Sequence, residues 1–360
     1  MHEFLERMLK MFRSAPNIEK MGFLSSFFVT EDEDIVDTEM VSIDIVRTDE
    51  DVAPVLRDLK TGAVAISEDL YTNKAVKPPV YSLERPVGIF ELMKKQPGET
   101  EYAAIGSWIG RLMIILKDSF VKMTNMIKYS IELQASQVLQ TGQLSLTDEK
   151  GVAAYTLDYK PKATHFPSVT TAWTNGAGNP IGDINALMDV IRDDGLVDVA
   201  NVIFGKTAWN DFMANADVKE ALRRDGTGLG AIDPKLVGKG GKHMGFINIG
   251  SYRVELFTYN GSYKAFGSAT KARFVGDNKV ILLPDLSELD FRLVFGGIPS
   301  IGVEAPFDQF LPERVSVNGA FDFRPRVYRD QKGDTWVGEI KSRPICIPVS
   351  IDRFGCLTTR

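Results

Sequence analysis

The sequence predicts an α+β protein with at least two lobes, and three observations predict it. Apolar residues recur at helical spacing from Ile105 to Val138, well beyond an ordinary amphipathic helix. Short β-type runs, such as those at 199–204, 252–259 and 279–283, then alternate with few helices and many turns, in keeping with 31 Gly and 17 Pro. The 360 residues also exceed what one hydrophobic core organises, roughly 250–300. A composition of 44% hydrophobic and 25% charged residues excludes wholesale disorder.

Residues 1–14 place Phe4, Leu5, Met8, Leu9 and Phe12 on one helical face, and Pro16 ends that helix. Glu3, Glu6, Arg7 and Lys10 interrupt its apolar run, so no secretory signal is expected. Arg7, Lys10 and Arg13 form only a weak basic face, which favours an arm packed on a partner over a membrane-surface helix. Residues 38–46 alternate in strand fashion. Formal net charge is −6, but residues 31–51 hold ten acids and one base, a local −9 that leaves +3 elsewhere. The acids Glu31, Asp32, Glu33 and Asp34 read as a solvated or partner-facing charge run rather than a cation site.

Residues 52–97 carry Pro54, Pro78, Pro79, Pro86 and Pro97 between short apolar runs and cannot form a core of their own. Val64, Ile66, Leu70, Val76, Val80 and Leu83 are nonetheless too apolar to leave in water. The segment therefore reads as a hairpin that must lean on something outside itself, with a Pro-rich linker as the alternative. The helix that follows, about 99–141, would be roughly 60 Å long, with Gly142 as its stop. Arg111 and Lys117 break its most apolar part, so it is no membrane span.

Beyond residue 150 the pattern predicts strands at 155–159 and 171–173, the latter before an Asn175-Gly176 turn. A helix over 181–193, a buried strand at 199–204 and a helix from Thr207 toward Leu222 come next. The glycine-rich stretch 225–245 precedes strands at 252–259, 279–283 and 292–295. Residues 336–340 and 345–351 close the chain in β fashion.

Catalytic motifs are weak. Ala200 to Thr207 fits a loose phosphate-binding loop, with Lys206 and Thr207 in the Lys-Ser/Thr positions, and a P-loop-like nucleotide-binding enzyme is the alternative reading. Val202, Ile203 and Phe204 prefer a strand, leaving no loop to wrap phosphates, with Thr207 capping the next helix. The glycines at 226, 228 and 230 follow a helix rather than a strand, which removes the dinucleotide-binding context. His2, His165 and His243 lack ligand spacing, and Cys346 and Cys356 form neither a zinc knuckle nor a disulfide framework. No enzyme, cofactor or metal is expected. No basic stripe for sequence-specific nucleic-acid binding is present either.

Three segments together resemble the major capsid proteins of lambda-type tailed phages, the phage capsid E family with the Hong Kong 97-like fold. The first runs Val202-Ile203-Phe204-Gly205-Lys206-Thr207-Ala208-Trp209 and on to Asp217-Val218-Lys219-Glu220-Ala221-Leu222. The second comprises Met244-Gly245-Phe246-Ile247 and 254–261, ending in Tyr259-Asn260-Gly261. The third is Ser342-Arg343-Pro344-Ile345-Cys346-Ile347-Pro348, and Val76-Lys77-Pro78 is similar to the outgoing limb of the family's extended loop.

The resemblance implies an N-terminal arm over 1–51 and an extended loop over 52–97. It implies a peripheral domain from 98–180 and 301–360 with the spine helix at about 99–141, and an axial domain over 181–300 with an axial loop at about 225–245. The implied function is self-assembly into hexamers and pentamers of an icosahedral shell around packaged double-stranded DNA, which would be contacted without sequence preference. A portal, a scaffold and a decoration protein are further implied partners, with the virion as destination and the host cytoplasm as the place of assembly. Near the capsomer axis, Glu220, Asp225 and Asp233 are expected to pair across subunits with the bases in or beside 225–245, namely Lys219, Arg223, Arg224, Lys235, Lys239 and Lys242.

Overall fold

The computed structural model describes residues 22–46, 71–93, 108–148, 150–224, 235–236, 240–298, 322–330 and 335–360. Two single 3₁₀ turns, Ser25–Phe27 and Asp32–Asp34, precede strand β1 (Val41–Val46), which pairs antiparallel with β2 (Tyr71–Val76). Strand β3 (Tyr81–Gly88) runs into the short helix α1 (Ile89–Met93), and the long helix α2 (Trp108–Thr141) follows. Next come the hairpin β4 (Gln143–Thr147) and β5 (Ala153–Asp158), helix α3 (Pro180–Gly195), strand β6 (Val199–Phe204), and helices α4 (Lys206–Ala214) and α5 (Ala216–Arg224). Strands β7 (Lys235–Leu236), β8 (Gly241–Ile249), β9 (Tyr252–Tyr259), β10 (Ser262–Tyr263), β11 (Ala272–Arg273), β12 (Lys279–Pro284) and β13 (Phe291–Phe295) follow. The chain closes with β14 (Arg324–Asp330), β15 (Thr335–Ser342), β16 (Pro344–Pro348), a 3₁₀ turn at Ile351–Arg353 and β17 (Gly355–Thr358).

Helix α2 forms because its apolar residues share one face. Leu112, Leu116, Ile127, Ile131 and Val138 are all fully buried. It ends where expected: Gly142 takes φ +63° and donates its N–H to Val138 O at 2.7 Å, a left-handed termination that favours glycine. The expected first turns, including Ile105, lie outside the described residues. Helix α3 begins with Asn179 accepting from Gly182 N–H at 3.0 Å and Pro180 in the first turn.

The helix expected from Thr207 to Leu222 is two helices. Asn215 leaves the helical conformation at ψ 140°, and its Oδ1 accepts from Asp217 N–H at 2.9 Å and Val218 N–H at 3.3 Å. An asparagine side chain that caps the next helix competes with continuing the last one. The strand expected at 171–173 is also absent. Trp173 is instead fully buried ahead of a 3₁₀ turn, and its indole N–H donates to Asp183 Oδ2 at 2.8 Å.

A six-stranded sheet in the order β17-β12-β6-β9-β8-β7 separates two cores, with β6 and β9 its parallel pair. Strand alternation divides its side chains. Ile203, Phe257, Tyr259, Ile281, Leu283 and Cys356 face the core shared with α2, β13 and β16. Val202, Phe204, Leu256, Val280, Leu282 and Leu357 face the core shared with Trp173, α3, α4 and α5. Burial on both faces explains why these strands read as nearly continuous apolar runs in the sequence.

Two elements cross the expected partition at residue 300. Strand β17 pairs with β12 at the sheet edge, so the last strand joins the 181–300 region rather than the peripheral one. Strand β13 pairs with β16, drawing 291–295 toward the other side. Among the described residues no helix is long and apolar enough to cross a membrane.

Candidate assembly surfaces

The stretch resembling a phosphate-binding loop has no room for phosphate. Val202, Ile203 and Phe204 are fully buried in β6, and the chain passes into α4 through Gly205 alone. The N–H groups that would cradle an anion are already used: Gly205 donates to Lys279 O at 2.9 Å, while Thr207 and Ala208 donate to Asp277 O at 3.0 and 2.8 Å. A Cβ on Gly205 would lie 2.2 Å from Gly276 O, so only glycine passes this point. Gly205, not Thr207, is therefore the N-cap of α4.

Of the two described histidines, His165 has both ring nitrogens hydrogen-bonded. His165 is fully buried, with Nδ1 2.8 Å from Phe354 O and Nε2 3.0 Å from Asp194 Oδ2, while Lys162 Nζ reaches Asp194 Oδ1 at 2.7 Å. Burial works to raise the Asp194 pKa. The hydrogen bonds from Lys162 and His165, with their charges, outweigh it and hold the carboxyl below its ordinary value. His243 packs its ring on Phe257 and lies 3.5 Å from Glu255 Oε2. Both cysteines are buried and unbridged, and burial raises each thiol pKa.

The surfaces expected to meet a neighbour lie elsewhere. Strands β1 and β2 form a sheet of their own, in register from Val41↔Val76 to Val46↔Tyr71. The hairpin's first limb therefore reaches back to Val41, ahead of the expected boundary at 52. Strand β3, expected within the hairpin, instead belongs to a three-stranded sheet ordered β14-β15-β3.

The six apolar candidates separate accordingly. Val76 is buried with Val41 at the hairpin root, and Leu83 packs half-buried on the chain's own core, so these two serve their own subunit. Val80 is 59% exposed, and Val64, Ile66 and Leu70 lie outside the described residues.

The root itself is a socket of main-chain contacts. Arg343, fully buried between β15 and β16, donates through Nη1 to Gly297 O and through Nη2 to Glu39 O and Pro78 O, both at 3.2 Å. Gly297 N–H donates to Thr38 O at 2.9 Å. Outside the socket, the Glu39 carboxylate pairs with Lys77 on the opposite limb.

The acidic candidates also divide. Asp34 is buried, accepts from Glu31 N–H at 2.9 Å and lies 3.7 Å from Arg292 Nη1, so its charge is answered within the subunit. Glu31, Asp32 and Glu33 remain exposed. On α5, Arg223 pairs with Glu220 of its own helix at 3.0 Å, not waiting for a neighbour. Asp225 lies outside the described residues, and Arg224 ends α5.

Two features escaped the sequence reading. Helix α1 presents Ile89, Phe90 and Met93, with Phe90 84% and Met93 72% exposed; the run Ile89-Phe90-Glu91-Leu92-Met93 carries that signal. Glu132, buried on α2, accepts from Leu24 N–H at 2.9 Å, Ser25 N–H at 2.8 Å and the Tyr259 hydroxyl at 2.6 Å. It ties the arm to the helix and the sheet, and a Cβ on Gly22 would strike it. One acidic residue on an apolar face reads as a break in the pattern, so its role was not visible.

The model of the phage major capsid protein E family matches residues 5–354. The chain belongs to that family. A solved structure assigned to a prophage capsid protein of E. coli CFT073 is similar to it at TM-score 0.64 and 13% identity, over 98% of each chain. A phage-related protein from Bordetella bronchiseptica RB50 aligns at TM-score 0.49 and 11% identity, over 98% of this chain and 96% of its own. The capsid of Myoviridae phage XM1 aligns at 0.45 and 11%, over 96% and 94%. No curated protein matches the sequence. This phage major capsid protein therefore has the Hong Kong 97-like fold, and its role is structural, in the shell of the virion.

Proposed function

We propose that the chain builds the hexamers and pentamers of a closed icosahedral shell around packaged double-stranded DNA, and that its 41–76 hairpin links each copy to the next. The observation that carries this reading is the isolation of β1 and β2: they pair only with each other among the described strands, although their root is fixed firmly to the body. A two-stranded ribbon is marginal in water, and docking along a neighbour supplies the missing burial and edge partners. Repeated at every subunit, one such contact turns weak pairing into a closed assembly.

The exposed acids Glu31, Asp32 and Glu33 seek a basic surface on that neighbour, and the end of α5 lies toward the capsomer axis. The chain acts without catalysis or cofactor. It assembles in the host cytoplasm with a portal, a scaffold and a decoration protein as partners, and meets DNA through scattered Lys and Arg on phosphates.

Replacing residues 47–70 with a short Gly-Ser turn tests this while sparing Pro78 and Tyr81, which the body needs. The expected product is folded and soluble but gives no closed shells by negative-stain microscopy. Shells of normal size would refute the linking role.

A further inference from the structure

Glu39 and Pro78 lie just outside the paired residues of the hairpin, on opposite limbs, and a single guanidinium nitrogen of Arg343 binds the carbonyls of both. The other terminal nitrogen holds Gly297, where the chain leaves β13. Both limbs and the body thus meet on one planar group whose own backbone leads directly into β16. Arg343 O also accepts from Gly296 N–H at 3.0 Å, so residues 296–297 and 343 clasp each other in both directions.

A buried charge is a poor way to gain stability. Removing it from water is costly, and an apolar side chain of similar volume often serves the fold better. The contacts here are carbonyls, with no carboxylate among the Arg343 hydrogen bonds, and the Glu39 carboxylate turns to Lys77 instead. What arginine offers at such a place is geometry: a rigid fork that fixes several acceptors in one plane, where lysine offers a single point.

We propose that Arg343 is a positioning residue that sets the direction in which the 41–76 hairpin leaves the body, and so decides whether the hairpin of one copy meets the next in register. The inference rests on the reading of the hairpin as the subunit link. The direction itself, however, is a property of the single chain and can be measured without assembly. Gly297 enforces the same geometry from the other side, because a Cβ there would lie 2.2 Å from Asp37 O, one residue from the Thr38 carbonyl that Gly297 N–H engages.

The experiment places nitroxide labels on Ala75→Cys in β2 and Ser145→Cys in β4, both exposed, while the two native thiols are buried. Double electron–electron resonance on the unassembled chain then reads the hairpin-to-body distance. With Arg343 present, one narrow distribution is expected. Arg343→Met and Arg343→Lys should each broaden or shift it while the circular dichroism spectrum stays native, and shell yield should fall about tenfold, the effect of ~1.4 kcal/mol on an equilibrium.

An unchanged narrow distribution in both variants overturns the proposal, as does failure of both to fold, which would make Arg343 a stability residue. Broadening with normal shell yield would show that direction does not govern assembly. If the Gly-Ser replacement of 47–70 still gives shells, the linking role fails independently of Arg343. If that replacement abolishes shells while Arg343→Met keeps its narrow distribution, only the positioning role fails.

Discussion

Two hairpins of this chain share a topology and have opposite surroundings. In β4–β5, Leu144 and Leu157 are buried and Leu146 and Tyr155 pack against the same core, so the ribbon lies down on its own subunit. In β1–β2, Val41 and Val76 are buried at the root, Ser42 and Ala75 one step further out are exposed, and Ile45 beyond them is half-buried. A two-stranded ribbon gains stability from what covers its apolar face. The first hairpin finds that cover within its chain, and under the proposed linking role the second finds it on a neighbour.

The sharpest break in this contrast should come from Gly142, the hinge from which β4 departs. Its φ of +63° and the Pro161 ring, 2.4 Å from where a Cβ would sit, leave no room for a side chain. Gly142→Val is expected to cost more than about 3 kcal/mol and to lower the melting midpoint of the unassembled chain severely.

A matched pair of truncations sharpens it further. Leu144→Ala, at a fully buried site, should cost about 2–5 kcal/mol in chemical denaturation. Ile45→Ala, at a half-buried site on the hairpin, should cost under about 1 kcal/mol in the same measurement yet lower shell yield. Equal stability losses would erase the distinction between the two ribbons.

Acid should strain the body through Asp194. Its folded-state pKa lies below the unfolded value of ~4, so its contribution is complete above that value and is lost as pH falls through the folded pKa. Asp194→Asn should therefore cost about 2 kcal/mol at neutral pH, where His165 and Lys162 lose their partner, and little below the folded pKa. A stability difference that persists unchanged into strong acid would contradict the assignment. The smallest effect is expected at the hairpin root, where Glu39 and Lys77 pair in the open. Lys77→Ala should leave the melting midpoint of the unassembled chain unchanged.

How far the sequence revealed this architecture follows from where each pattern originates. Helix α2 and strands β6, β9 and β12 were legible because burial itself writes their periodicity, on one face for the helix and on both for the strands. Val202, Ile203 and Phe204 stood out as a reason to doubt nucleotide binding, but the collision that a side chain at Gly205 would make with Gly276 O depends on a loop far along the chain. The hairpin was legible as a segment without a core, though not its limits: β1 and β2 pair across the intervening residues 47–70, and no local signal gives that register. Strand β17 contributes little more than Cys356 and Leu357, too short a run to betray that it crosses to the edge of the large sheet. Arg343 and Glu132 were hidden for a common reason. A charged residue reads as surface until its buried partners are known.

Hydrogen–deuterium exchange, compared between the unassembled chain and shells, tests the central contrast most directly. Amides of β6 and β9 in the large sheet should be strongly protected in both states, whereas amides of β1 and β2 should be weakly protected in the free chain and gain protection at least tenfold on assembly, the effect of ~1.4 kcal/mol or more of added local stability. Hairpin amides equally protected before and after assembly would contradict a ribbon completed by its neighbour.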